Sequence, residues 1–180
     1  MIEEGCLDGI DEVYGFHNIP NFDEGDIRVC SGPFFADSIS VSIEIIGQGG
    51  HGSQPHRGVH DPITASSMIL SAFHSIKSRS LDSRRNIVFS ICHLQAGNEG
   101  ADNVFPDSAL IRGTIRCYDL DAKSKMIERI TKIAEDIAKA YECKANVNIF
   151  DKYPAVINHE EQTNHVIRLC KKHFGEDNFS

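Results

Sequence analysis

The chain has 180 residues, 41% of them hydrophobic and 24% charged, with a formal net charge of −8. That composition belongs to an ordinary globular protein long enough to bury one good core, and the acidic balance argues against non-specific nucleic-acid binding, which needs clustered Lys and Arg. No apolar run approaches the length of a membrane-spanning helix, and the opening stretch, residues 1–13, has neither the basic nor the apolar region of a secretory signal.

Residues 10–17 (Ile-Asp-Glu-Val-Tyr-Gly-Phe-His) read as a short buried strand with a histidine at its tip. Ile39, Val41, Ile43 and Ile45 alternate with Ser40, Ser42 and Glu44, the period of a half-buried strand. The run breaks into Gly47-Gln48-Gly49-Gly50-His51-Gly52, where glycines are expected to open conformations closed to other residues. Asp61 followed by Pro62 marks a helix start, and Ala65, Ile69, Ala72, Phe73 and Ile76 share one face of the helix over 61–80.

A second strand follows, with Ile87, Phe89 and Ile91 alternating with Val88, Ser90 and Cys92, and then a turn-rich stretch over 95–100. Ala109, Ile111 and Ile115 mark a third strand. Asp119 and Asp121 begin the strongest helix, on which Met126, Ile130, Ile133, Ala134, Ile137 and Tyr141 recur at helical spacing. Ala145, Val147 and Ile149 form a fourth strand, and residues 159–174 a further helix with Val166, Leu169 and Phe174 among its apolar positions.

The order strand, helix, strand, strand, helix, strand over about 37–152 is the α+β, ferredoxin-like β-α-β-β-α-β plan. Two helices would cover one face of a four-stranded antiparallel sheet and leave the other wet or free to meet a partner. Six scattered cysteines (Cys6, Cys30, Cys92, Cys117, Cys143 and Cys170) form no C-x-x-C pair. They read as small buried thiols of a cytoplasmic protein.

Three stretches carry chemistry. A strand-end His17 suits a metal or acid–base role, against an ordinary hydrogen-bonded turn histidine. Gly49 to His56 holds His51 and His56 between glycines, which lets an imidazole approach a ligand as an oxyanion donor must; a plain surface loop is the competing reading. Asn103, before Val104-Phe105-Pro106, can donate to a carbonyl oxygen and Arg116 can clamp a carboxylate, against a turn Asn and a solvated Arg. His60, His74, His93, His159 and His165 fit no metal-ligand spacing.

In order, Ile2-Glu3-Glu4-Gly5, Tyr14-Gly15-Phe16-His17-Asn18, Ser31-Gly32-Pro33, Gly50-His51-Gly52-Ser53-Gln54-Pro55-His56, Asn103-Val104-Phe105-Pro106, Gly113-Thr114-Ile115-Arg116 and Tyr153-Pro154-Ala155-Val156 resemble one family. It is the aminoacylase, hippurate hydrolase and indole-acetyl-amino-acid hydrolase group of metal-dependent amidohydrolases, and the likeness runs over essentially the whole chain. The resemblance implies a two-metal catalytic domain with a ferredoxin-like lid inserted in it. Residues 1–31 and 155–180 would then be remnants of the catalytic domain and 32–154 the lid.

The resemblance further implies that His17 is a metal ligand, that His51 and Asn103 steady the oxyanion (in several relatives, that of the other subunit), and that Arg116 holds the substrate carboxylate with His56 beside it. Two divalent ions (Zn, Mn or Co class) are expected in the intact parent and none in this chain alone. The family's aspartate-rich segment, its Glu-Glu pair and its downstream histidine have no match, and Glu3-Glu4 corresponds to a linker helix. One ligand cannot hold a catalytic ion, so the chain by itself is expected to be inactive.

A homodimer through the helix 61–80 and the strand 86–93 is expected, with a small N-acyl amino acid as substrate and neither nucleic acid nor membrane as partner. The geometric expectation is that Asn103, Arg116 and the glycine-flanked imidazole converge on one concave edge. The competing class is a stand-alone ferredoxin-like dimerisation or small-molecule-binding module. An RNA-recognition domain of the same plan would need stacked aromatics on its central strands and the opposite charge.

Overall fold

The computed structural model describes residues 2–175. In chain order its elements are β1 (Gly32–Phe35), β2 (Ser38–Ile46), β3 (Gly50–His51), α1 (Pro62–Ser80), β4 (Ile87–Ala96), β5 (Val104–Phe105), β6 (Ser108–Cys117), α2 (Leu120–Ala140), β7 (Lys144–Tyr153), β8 (Val156–Asn158) and α3 (Glu160–Phe174).

Alternation decides the central layer. Ile39, Val41, Ile43 and Ile45 of β2 and Ala109, Ile111 and Ile115 of β6 are all buried. They meet Ala65, Ile69, Phe73 and Ile76 of α1 and Met126, Ile130 and Ala134 of α2 in one continuous core. The sheet order is β4-β6-β2-β7 with every neighbour antiparallel. This is the split β-α-β arrangement, and the expected six-element plan is present in full. The opposite face carries Ser40, Ser42, Arg112, Thr114 and Asn148, all at least partly exposed.

Capping fixes where the helices begin. Asp61 accepts a hydrogen bond from the Ile63 amide at 2.9 Å and Asp119 one from the Ala122 amide at 2.9 Å. Asp37 is buried, yet its carboxylate accepts from the Cys117 amide at 2.7 Å and faces the Lys123 ammonium at 3.6 Å, so its charge is compensated. β4 is an edge strand, as expected, and a register shift between Ile91 and His93 kinks it.

Other expectations are corrected. Residues 10–17 form no strand: they carry no ladder partner, and Val13 and Phe16 are 73% and 90% exposed. An apolar run without a second strand to satisfy its amides stays irregular. The second strand reaches Ala96 and the fourth Tyr153, because β6 and β2 supply partners along their full lengths. Only Cys117 and Cys143 are buried; Cys6, Cys30 and Cys92 are exposed, and all six thiols are free.

The segments outside the sheet meet in a small ribbon. β1 pairs antiparallel with β8, and the Asn158 amide donates to the Cys30 carbonyl at 2.9 Å. The helix expected over 159–174 is present as α3, whose one buried residue is Thr163. Gln162 on α3 donates to Glu12 at 2.8 Å, tying the irregular segment to it. Asn178, Phe179 and Ser180, the last residues of the expected catalytic-domain remnant, lie outside the described residues.

Candidate functional site

Where β2 ends, the β2–β6 ladder continues into a narrow ribbon. The Gly47 amide donates to the Asp107 carbonyl at 2.8 Å and the Gly49 amide to the Asp107 carboxylate at 2.9 Å. β3 then pairs with β5, with Gly50 opposite Phe105 and His51 opposite Val104, and the Gly52 amide donates to the Asn103 carbonyl at 2.7 Å. The glycines serve closeness rather than unusual dihedrals. A Cβ at Gly47 would lie 2.1 Å from the His60 carbonyl oxygen and one at Gly49 2.4 Å from that of Phe105, while none of Gly47, Gly49, Gly50 and Gly52 has a positive φ. The glycines were expected to open conformations closed to other residues; what their neighbours show is close approach of backbone that any Cβ would block.

The ribbon brings His51 and Asn103 together and exposes both. The Ser53 amide donates to His51 Nδ1 at 3.2 Å, and the Ser53 hydroxyl lies 2.9 Å from the same nitrogen. An amide can only donate, so Nδ1 is an acceptor and the neutral ring carries its proton on Nε2, directed away from this turn. That is the tautomer an oxyanion donor requires. His56 follows in an exposed turn closed by Gly58 at φ +78°. The far end of the loop is pinned by the Gln48–His60 backbone pair and by His60 Nε2 at 3.2 Å from Glu142.

Arg116 lies elsewhere. It sits opposite Val88 near the far end of β6, its guanidinium donating to the Ile115 carbonyl at 2.9 Å and to the Thr114 hydroxyl. It stands eight residue steps along the strand from Ser108, roughly 26 Å at about 3.3 Å per residue, and the ribbon extends beyond Ser108. The expected convergence of Arg116 with His51 and Asn103 on one edge is therefore not found within a single chain. Asn103 and Arg116 flank the β5–β6 arm in sequence, with His51 paired across from β5, and the extended β6 strand converts sequence proximity into separation.

His17 lies in the exposed irregular segment, its ring 5.4 Å from that of Phe35. Its Nδ1 is 2.8 Å from the Asn18 carbonyl, which can only accept, so Nδ1 donates and Nε2 presents a lone pair. That suits a metal ligand. No group of three or more His, Cys, Asp or Glu side chains able to hold a metal gathers among the described residues. One imidazole falls short of the three protein ligands a catalytic ion needs, so the described residues do not by themselves make a metal site.

Sequence reasoning missed Ser53 and Asp107. The first is signalled by a hydroxyl two residues after a histidine in a glycine turn. The second carries no local signal, because its partner Gly49 is 58 residues away.

A family model for the peptidase dimerisation domain matches residues 37–142, which hold β2, β4 and β6 of the central sheet and both helices packed on it. The chain belongs to the M20 peptidase dimerisation-domain family. Over 180 residues it is 36% identical to the hippurate hydrolase of Campylobacter jejuni, covering 99% of this chain and 46% of that protein. It is 37% identical to the N-acetylcysteine deacetylase of Bacillus subtilis over 158 residues, 88% of this chain and 41% of that one. An aminohydrolase structure from methicillin-resistant Staphylococcus aureus superposes with a TM-score of 0.83 at 27% identity, covering 99% of this chain and 46% of that chain. YxeP of Bacillus subtilis, described as a dinuclear metal-binding M20 peptidase, superposes with a TM-score of 0.70 at 28% identity, covering 95% and 41%. The M20 chain described here thus spans less than half the length of these relatives. No helix among its described residues is long and apolar enough to cross a membrane.

Proposed function

We propose that this M20 domain is the lid and dimerisation portion of a metal-dependent hydrolase that cleaves the amide of small N-acyl amino acids in the cytoplasm. In this reading residues 32–154 are the lid, and residues 1–31 and 155–180 belong to the catalytic domain. The observation that carries the proposal is the His51 tautomer: the Ser53 amide occupies Nδ1, so Nε2–H is a preset donor beside Asn103. Such donors stabilise the developing oxygen charge of a tetrahedral intermediate.

Arg116 takes the substrate carboxylate, with charge-assisted and directional bonds, and His56 flanks the donor turn. Two divalent ions (Zn, Mn or Co class) in the intact protein, to which this chain contributes His17, supply Lewis-acid activation of the carbonyl and water. With a lone histidine of that set among its described residues, this chain by itself does not hydrolyse substrate.

The distance between Arg116 and the His51–Asn103 ribbon supports a division of labour across a homodimer. One small substrate cannot span roughly 26 Å of strand. In a two-fold dimer joined through the exposed edge strand β4 and α1, His51 and Asn103 of each chain serve the partner's site, and Arg116 serves its own. The test is hydrolysis of N-benzoylglycine by the intact protein carrying His51→Ala. The expected loss in kcat is about 10²–10³-fold with the dimer preserved; an unchanged kcat overturns the oxyanion role.

A further inference from the structure

The open face of the sheet is unevenly charged. On it, β2 presents Ser40, Ser42 and Glu44, β6 presents Arg112, Thr114 and Arg116, and β7 presents Phe150 and Lys152. Glu44 stands toward the Ile46 end of β2, opposite Leu110 and Asn146, and accepts from the Asn146 amide at 3.3 Å. Asp151, adjacent to Lys152 in sequence, lies opposite the core residue Ile39 and is turned to the helix side, where it meets Lys123 at 2.5 Å. Asp37 is likewise buried against the Cys117 amide and Lys123.

Arg112, Arg116 and Lys152 thus place three cations on this face, with Glu44 the one carboxylate described on it, diagonal to Arg112, on a chain whose net charge is −8. Arg112 and Lys152 make no ion pair or side-chain hydrogen bond with any described residue. Between them lies a depression of about 410 Å³ lined by Ser40, Ser42, Arg112, Gly113, Phe150 and Lys152. That volume falls in the range of small-ligand sites, and its polar groups converge from three adjacent strands beside one exposed aromatic wall.

We propose that this depression holds a second carboxylate of the substrate, in addition to the one assigned to Arg116, so that the hydrolase selects dianionic N-acyl amino acids. Arg112 and Lys152 supply the charge, the Ser40 and Ser42 hydroxyls donate from the floor, and Phe150 packs on the intervening methylenes. The selectivity for amino-acid substrates rests on the lid reading above; the anion site itself rests on the geometry of the face.

The experiment is calorimetric titration of the intact protein with N-acetyl-glutamate and with N-acetyl-glutamine, which match in shape and differ by one charge. Salt of about 0.15 M screens diffuse attraction to a basic surface, leaving contact interactions. N-acetyl-glutamate is expected to bind about 10-fold more tightly, equivalent to about 1.4 kcal/mol. Arg112→Gln and Lys152→Gln should each remove most of that preference and leave N-acetyl-glutamine binding unchanged. Equal affinities, no binding of either compound, or a preference that survives both substitutions overturns the proposal. A charge preference that Arg112→Gln abolishes, in a protein that hydrolyses neither compound, supports the site and overturns the amidohydrolase reading instead.

Discussion

Two regions of the chain contain comparably apolar runs and end in opposite states. Along β2, Ile39, Val41, Ile43 and Ile45 are at most 1% exposed, held between paired strands and under two helices. Between residues 10 and 16, Ile10, Val13, Tyr14 and Phe16 are 52–90% exposed on irregular backbone. The difference is partnership. A strand needs a ladder for its amides and a layer for its apolar face, and β2 has both within the chain. The two regions also set their histidines differently: the β3 turn leaves His51 with an outward N–H, and the irregular segment leaves His17 with an outward lone pair. A backbone amide and a backbone carbonyl are enough to separate a hydrogen-bond donor from a ligand.

The contrast predicts unequal costs of substitution. Ile130→Ala removes a fully buried side chain that packs under the sheet, and should cost about 2–5 kcal/mol in denaturant unfolding. Phe16→Ser in this chain should fall within about 0.5 kcal/mol of wild type. A comparable loss at both positions would mean that the irregular segment is packed after all. A smaller effect tests the ribbon: Gly47→Ala drives a methyl into the His60 carbonyl and should cost about 1–3 kcal/mol. It should also displace the His51 turn, so in the intact protein kcat should fall even where the fold survives. Full activity with Gly47→Ala would show that the ribbon tolerates looseness.

The smallest effect is in alkali. Burial pushes the thiols of Cys117 and Cys143 above the ordinary cysteine range, and the hydrogen bond to Asp151 raises the Lys123 ammonium above the ordinary lysine range. All three shifts favour the protonated form in the folded chain. Their contribution is complete below the unfolded values and is lost as pH rises through the folded ones. Stability should therefore be flat from pH 7 to about 8.5 and decline above that. A rise in stability above pH 9 would contradict the burial of the two thiols.

The sheet-and-helix layer was readable because periodicity reports burial directly: every second residue of β2 and the Met126–Ile130–Ala134 stripe of α2 face the same core. The histidine ribbon was readable only as a motif. Its strands are two residues each, too short for any period, and the role of Gly47 depends on His60, which comes close only after folding. The misreading of residues 10–17 has the same source, since an apolar run does not reveal whether a partner strand exists. The expected meeting of Arg116 with His51 failed because the motifs record order along the chain, while the β6 register decides which end of the sheet each one occupies.

The division of labour across a dimer can be tested by mixing two disabled proteins. In the intact protein, His51→Ala and Arg116→Ala should each abolish most hydrolysis of N-benzoylglycine. If His51 serves the partner's site and Arg116 its own, a mixed dimer regains one complete site, and random re-pairing should return about a quarter of wild-type activity. Activity that stays at the level of the separate variants after demonstrated subunit exchange would place both residues in the same subunit's site, and the account would be wrong.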